Sequence, residues 1–155
     1  MPLILQKNNY TCGNACIRMV CGYFGLRVTD KQVMQLCGVS VTDLKNYGLP
    51  NKKLFLCLRG LGIDCRQKKN CTIAELRRVA GTVPVVIAYS GRTATWGHLA
   101  VVTGVDRNRF IFNDPISGSD FTLPASDFVK RWKSAYEKSN HWMCVASKLS
   151  TGKKR

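Results

Sequence analysis

The hydrophobic period of this chain changes once, just after Gly81. Before it, apolar residues recur at helical spacing. Ala15, Met19 and Tyr23 form one line, Cys16, Val20 and Phe24 the next, and Leu54, Cys57, Leu58 and Leu61 a later stripe. After it come Pro84-Val-Val-Ile-Ala-Tyr89, a buried run, and Gly97-His-Leu-Ala-Val-Val-Thr-Gly-Val105, both with the length and β-branched content of strands. Helices first and strands later exclude βαβ alternation. The expected class is α+β, helices packed on an antiparallel sheet.

Local signals divide the chain further. The first helix runs over residues 12–24, and Gly25 stops it. Thr29-Asp-Lys-Gln32 and Thr72-Ile-Ala-Glu75 are capping boxes that open helices to Leu36 and to about Ala80. Gly48-Leu-Pro-Asn51 is a turn and N-cap before a helix ended by Gly60 to Gly62, and Ile63 to Gln67 is a brief strand. Asp106-Arg-Asn108 turns the long strand back into Arg109–Asn113, which Asp114-Pro115 ends. Ala125 to Trp132 reads as a helix with Phe128, Val129 and Trp132 inward, and His141 to Ser147 as the last strand. Residues 1–148 form one domain and 149–155 a basic tail.

The 155 residues suit a single core. No apolar run approaches the ~20 residues of a membrane span, and Met1-Pro-Leu-Ile-Leu-Gln-Lys is too short for a signal-peptide core. The expected location is the cytoplasm, or outside the cell by a route that needs no such signal. Eight cysteines without Cys-x-x-Cys spacing point to no metal and no cofactor, and the seven other than Cys12 read as reduced, buried small residues. The formal net charge is +15, with 24 basic against 9 acidic residues. Such a field attracts nucleic acid, acidic membranes or acidic peptides, although the charges are dispersed and no arginine–aromatic repeat offers a stacking platform.

Chemistry concentrates at two places. Cys12 opens the first helix, where free N–H groups and the helix dipole favour a thiolate. Gly13 after it allows close approach to a substrate. The Cys12 N–H and the amide NH2 of Gln6 are candidate donors to an oxyanion. His98, near the start of the long strand, is the candidate base. A hairpin turning at Asp106-Arg107 puts Asp114 opposite His98 to within one residue, where a carboxylate can hold the imidazole Nδ1–H. His141, beside Trp142, reads as structural or surface.

In combination, Gln6, Tyr10-Thr-Cys12-Gly-Asn-Ala-Cys-Ile-Arg-Met-Val, Gly97-His-Leu-Ala-Val-Val-Thr-Gly104 and Asn113-Asp-Pro115 resemble the double-glycine leader peptidases. These are papain-like cysteine peptidases, often fused to bacteriocin exporters, with free-standing relatives. The resemblance spans Gln6 to about Trp132. It implies a papain-like fold with Cys12 as nucleophile, His98 as general base and acid, Asp114 as its orienter and Gln6 as oxyanion donor. Asn14 departs from the proline that free-standing relatives often carry there. The implied activity is hydrolysis of a peptide or amide bond in a peptide or protein substrate. The alternative is a toxin or effector that turns the same site on another macromolecule, cleaving RNA or tRNA or deamidating protein, with an immunity protein or inhibitor as partner. A non-catalytic binding module is the third reading.

Overall fold

The computed structural model describes residues 1–90, 97–133 and 140–149. Four helices come first: α1 (Cys12–Tyr23), α2 (Asp30–Cys37), α3 (Val41–Tyr47) and α4 (Asn51–Gly60). Then follow β1 (Ile63–Lys68), α5 (Ile73–Val79), β2 (Val85–Ser90), β3 (Gly97–Asp106), β4 (Arg109–Asp114), β5 (Gly118–Pro124), α6 (Ala125–Arg131) and β6 (Met143–Leu149). The six strands form one antiparallel sheet in the order β1-β6-β2-β3-β4-β5.

The sheet is buried on both faces, which explains the unbroken apolar runs of β2 and β3. Val86, Ala88, Leu99, Val101, Cys144 and Ala146 face α1, α2 and α4. Val85, Ile87, Tyr89, Ala100, Val102, Phe110 and Phe112 face Leu76 of α5 and Phe128 of α6. Strand alternation therefore sends neighbouring residues into two separate cores.

Local chemistry set most boundaries. Both expected capping boxes form, at Thr29 and Thr72. Gly25 follows the end of α1 at φ 77°, a backbone region that favours glycine. Two elements were not anticipated. α3 is opened by a box of Ser40 and Asp43 and buries only Leu44, too little for a periodic stripe. β5 is half exposed along most of its length, so its pattern never alternates cleanly. The Gly48–Asn51 turn caps α4 through Pro50, not Asn51. The last strand begins at Met143. His141 before it has φ 52°, stacks on Trp132 and bonds the Cys71 carbonyl at 2.9 Å through Nδ1. Val129 is half-buried, whereas Phe128 and Trp132 are fully buried. Leu149 is the last residue of β6, paired with Ile63. The remaining tail positions, 150–155, lie outside the described residues.

Among the described residues, no helix is long and apolar enough to cross a membrane, and no group of three His, Cys, Asp or Glu residues stands close enough to hold a metal.

Candidate active site

Cys12 is the first residue of α1, so its N–H has no partner within the helix. Thr11 stands at the N-cap without capping through its side chain, and its hydroxyl donates instead to the Asn8 carbonyl at 3.4 Å. The first turn carries no acid. By contrast, α2, α3 and α5 each close their first turn with a full capping box. The amino end of α1 is thus left open to another anion, and the Gly13 and Leu99 amides hydrogen-bond the Cys12 sulfur.

The sheet supplies the partner. His98 is the second residue of β3, and its imidazole hydrogen-bonds the Cys12 thiol. On the other side, its Nε2 lies 3.0 Å from Asp114 Oδ2. The hairpin register differs from the sequence expectation. Val101 pairs with Asn113, so Asp114 is level with Ala100 and reaches His98 diagonally, two residues from direct opposition. The turn falls on Arg107-Asn108, one residue later than expected, because Asp106 pairs with Arg109, and the β-bulge between Val102 and Gly104 then brings Asp114 one residue back towards His98. Diagonal neighbours on one face remain within side-chain reach. The ring nitrogen on the carboxylate is Nε2 rather than the expected Nδ1, which leaves Nδ1 for the sulfur.

All four acceptor positions of Asp114 are filled. Oδ2 also accepts the Tyr89 hydroxyl at 2.6 Å, and Oδ1 accepts the amides of Ile116 and Ser117 at 2.8 and 2.7 Å. Tyr89 is level with His98 across the β2–β3 pair. It was not anticipated, because the length of the β2–β3 connection conceals the register. Its only signal is a hydroxyl at the end of an apolar run.

Gln6 is tied to this corner through its backbone, whose N–H donates to the Pro115 carbonyl at 3.0 Å. Its side-chain Nε2 donates one hydrogen to the Asn8 carbonyl at 2.7 Å, and Oε1 is buried without a partner. Turning the amide over would set two carbonyl oxygens against each other, so this orientation holds, and the NH2 keeps a second hydrogen. Gly13 has a different task from the expected one. A Cβ there would stand 2.7 Å from Leu49 Cβ, so the glycine admits Leu49 rather than a substrate. Leu49 and its neighbours Tyr47 to Asn51 then form one wall of a cleft of about 260 Å³ that also exposes Cys12, Gly97 and His98. A separate 350 Å³ cavity near Met1, Tyr23 and Asp120 contains no cysteine or histidine.

The electrostatics follow from burial and pairing. Cys12, His98 and Asp114 are 8%, 5% and 1% exposed. Burial pushes the Cys12 thiol up, but the bond to His98, the imidazolium charge and the two amides outweigh it, and the thiol ends below its usual value. Burial alone would lower His98; Asp114 and Cys12 together hold it at about 9. Asp114 is drawn against burial to about 2 by His98, Tyr89 and the Ser117 amide. The favoured resting state is a thiolate beside an imidazolium. Cys16, one turn into α1, is pushed well up by burial and by the charges of Cys12 and Asp114, and stays a thiol.

The chain is similar in sequence and in fold to several known proteins. The colicin V secretion/processing ATP-binding protein CvaB of Escherichia coli is 25% identical over 120 residues, covering 76% of this chain and 15% of the relative. The probable microcin-H47 secretion/processing ATP-binding protein MchF of the same species is 24% identical over the same span. The chain thus matches about 15% of the length of these relatives. Among solved structures, a putative C39-like peptidase from Bacillus anthracis superposes with a TM-score of 0.73 at 17% identity, covering 96% of both chains. The peptidase domain of Streptococcus ComA, a bi-functional ABC transporter, gives 0.71 at 18%, covering 93% of this chain and 96% of that one. A double glycine motif protease from an AMS/PCAT transporter, solved with its leader peptide, gives 0.71 at 23%, covering 94% and 89%. The fold is therefore the papain-like α+β fold. Because the peptidase C39 family profile matches residues 1–136, the chain belongs to that family of cysteine peptidases.

Proposed function

We propose that the protein hydrolyses a peptide bond after a double-glycine sequence in a leader-type peptide, with Cys12 as nucleophile. The observation that carries this reading is the continuous Cys12–His98–Asp114 hydrogen-bond chain opening onto a narrow cleft. The Cys12 thiolate attacks the scissile carbonyl carbon. The developing oxyanion takes the Cys12 N–H and the second amide hydrogen of Gln6. The imidazolium of His98 gives its Nδ1 proton to the leaving amine, and a thioester remains on Cys12. Neutral His98 then takes a proton from water, which attacks the thioester and frees the acid product. Asp114 stays ionised throughout, keeping the ring oriented and the imidazolium stable. Lys45 and Lys52, exposed beside the Tyr47–Asn51 wall, favour a peptide with acidic residues.

Incubation with synthetic peptides carrying an internal Gly-Gly, read by mass spectrometry, tests the proposal. Cleavage directly after the glycine pair, abolished in Cys12→Ala, is the expected result. Intact peptides, with the protein folded and Cys12 reduced, would exclude it. The charge of +15 favours a second reading, in which the same thiolate acts on RNA or on a protein amide. It predicts RNA affinity that falls steeply with salt and an RNA or deamidated product that depends on Cys12.

A further inference from the structure

Gly13 and Gly22 mark opposite flanks of α1. A Cβ at Gly13 would strike Leu49, and one at Gly22 would strike Pro2. The two glycines stand about two and a half turns apart at roughly 3.6 residues per turn. The cleft wall around Leu49 and the amino-terminal segment therefore pack on opposite sides of the helix that opens with Cys12. From Pro2 the segment runs back to Gln6, with Ile4 packed against the core and Leu5 left 55% exposed. The Gln6 N–H bond to the Pro115 carbonyl, at 3.0 Å, joins it to the turn after Asp114. Ile116 in that turn is 54% exposed, and its N–H donates to Asp114 Oδ1 at 2.8 Å. Covalent geometry across the Gln6–Pro115 bond keeps the Cα atoms of Leu5 and Ile116 within roughly 8 Å of each other.

We infer that Leu5 and Ile116 receive the substrate on the leaving side of the scissile bond and select a large apolar side chain in the first or second residue after it. The inference rests on the cleavage proposed above. On the Leu49 flank the cleft is narrow, because Gly13 lets Leu49 close against α1. A glycine pair, which has no side chains, suits that flank. A chain that reaches Cys12 from there leaves across the other flank, where Gln6 and the turn after Asp114 stand.

Bonds at the site already fix both apolar residues, through the Gln6 backbone and through Asp114 Oδ1. Single exposed apolar side chains are ordinary. Here two neighbours follow the chain so closely that Leu5 adjoins the proposed oxyanion donor and Ile116 lies just past the carboxylate. A leucine laid over them removes apolar surface from water, which alanine does far less and aspartate does not. Both side chains keep an open aspect, so the preference for leucine over alanine should be about tenfold in kcat/KM, the lower end for an apolar contact.

The test uses the full chain and synthetic peptides with an internal Gly-Gly, followed by leucine, alanine or aspartate at the first or second position. Cleavage is followed by mass spectrometry. Leucine should exceed alanine about tenfold at one of the two positions, and aspartate should be cut more slowly still. Leu5→Ser combined with Ile116→Ser should bring leucine and alanine to one rate. Ile116→Lys should reverse the order and favour aspartate. Iodoacetamide labelling of Cys12 checks that each variant keeps its site. A flat series in the parent, a leucine preference that survives the double variant, or a preference confined to residues before the glycine pair would overturn the inference. So would a dimer in solution that Ile116→Ser dissolves, since a second copy would then cover the patch. Cleavage of every peptide at one rate sinks this inference alone, whereas no cleavage of any peptide sinks the proposed activity with it.

Discussion

Asp114→Asn separates the role of the carboxylate charge from that of its shape. The two amides of Ile116 and Ser117 demand an acceptor, so the carboxamide oxygen of the variant takes the Oδ1 place and its NH2 faces Tyr89 and His98. Tyr89 can turn its hydroxyl to accept. His98 can meet the NH2 only with an unprotonated Nε2, which moves its single proton to Nδ1, against the sulfur. Thiol and imidazole then confront each other, each with a hydrogen. The magnitude follows from His98. An imidazolium held at about 9 rather than 6.5 represents about 3 kcal/mol at roughly 1.4 kcal/mol per tenfold change. Asp114 and Cys12 share that figure, so the carboxylate's part is roughly 1–2 kcal/mol. The thiolate at neutral pH should fall about five- to thirtyfold. The assay is the rate of Cys12 alkylation by iodoacetamide against pH, read at that cysteine by mass spectrometry; it needs no substrate. In the parent protein the rate should stay high well below the pH at which ordinary thiols ionise. In Asp114→Asn it should fall and its midpoint should move up. Overlaid profiles from two folded proteins would refute the reasoning.

Tyr89→Phe removes one of four bonds to Asp114 and should cost about 1–2 kcal/mol of stability, with a several-fold loss of cleavage and the Asp114 carboxyl rising from its low value; urea melts and the acid limb of the rate check this. Gly13→Ala forces a Cβ to within 2.7 Å of Leu49 Cβ and should destabilise by about 1–3 kcal/mol. Adding Leu49→Ala should restore little, because the clashing Cβ remains, whereas Leu49→Gly should restore more. Stability against pH has two windows. Asp114 is depressed, so its share is present above 3.8 and lost as pH falls through about 2. His98 is raised, so its share is full below 6.5 and lost as pH rises through about 9, while the depressed Cys12 thiol runs the opposite way. The parent's Tm should therefore change less with pH above 6.5 than that of Cys12→Ala, which should decline as pH rises from 6.5; equal slopes would contradict the pairing.

The parts of the fold that local chemistry dictates were legible in the sequence, and the parts that depend on register or on shared burial were not. The helical stripe of α1, the boxes at Thr29 and Thr72 and the apolar runs of β2 and β3 each contain their own signal. α3 and β5 bury so little that no period marks them, although Ser40-x-x-Asp43 is a box in the shorter acid. At the site, Cys12, His98 and Asp114 were readable as residue types at informative places. Their register was not, because the turn lies on Arg107-Asn108 rather than Asp106-Arg107, and Gly104, a glycine inside the strand, marks a bulge that the count left out. Tyr89 and Leu49 went unseen because each acts through a contact with a segment distant in the chain. Gly13 was visible as a close-approach glycine, but what approaches it is a leucine.

The claim beneath all of this is that Cys12 and His98 rest as a charged pair. With only two histidines in the chain, proton NMR of the imidazole carbons can follow His98 alone once His141→Gln identifies its line. With the pair charged, the His98 midpoint should lie near 9 and fall markedly in Cys12→Ser. A His98 that titrates near the ordinary 6.5 and ignores the loss of the sulfur would contradict it.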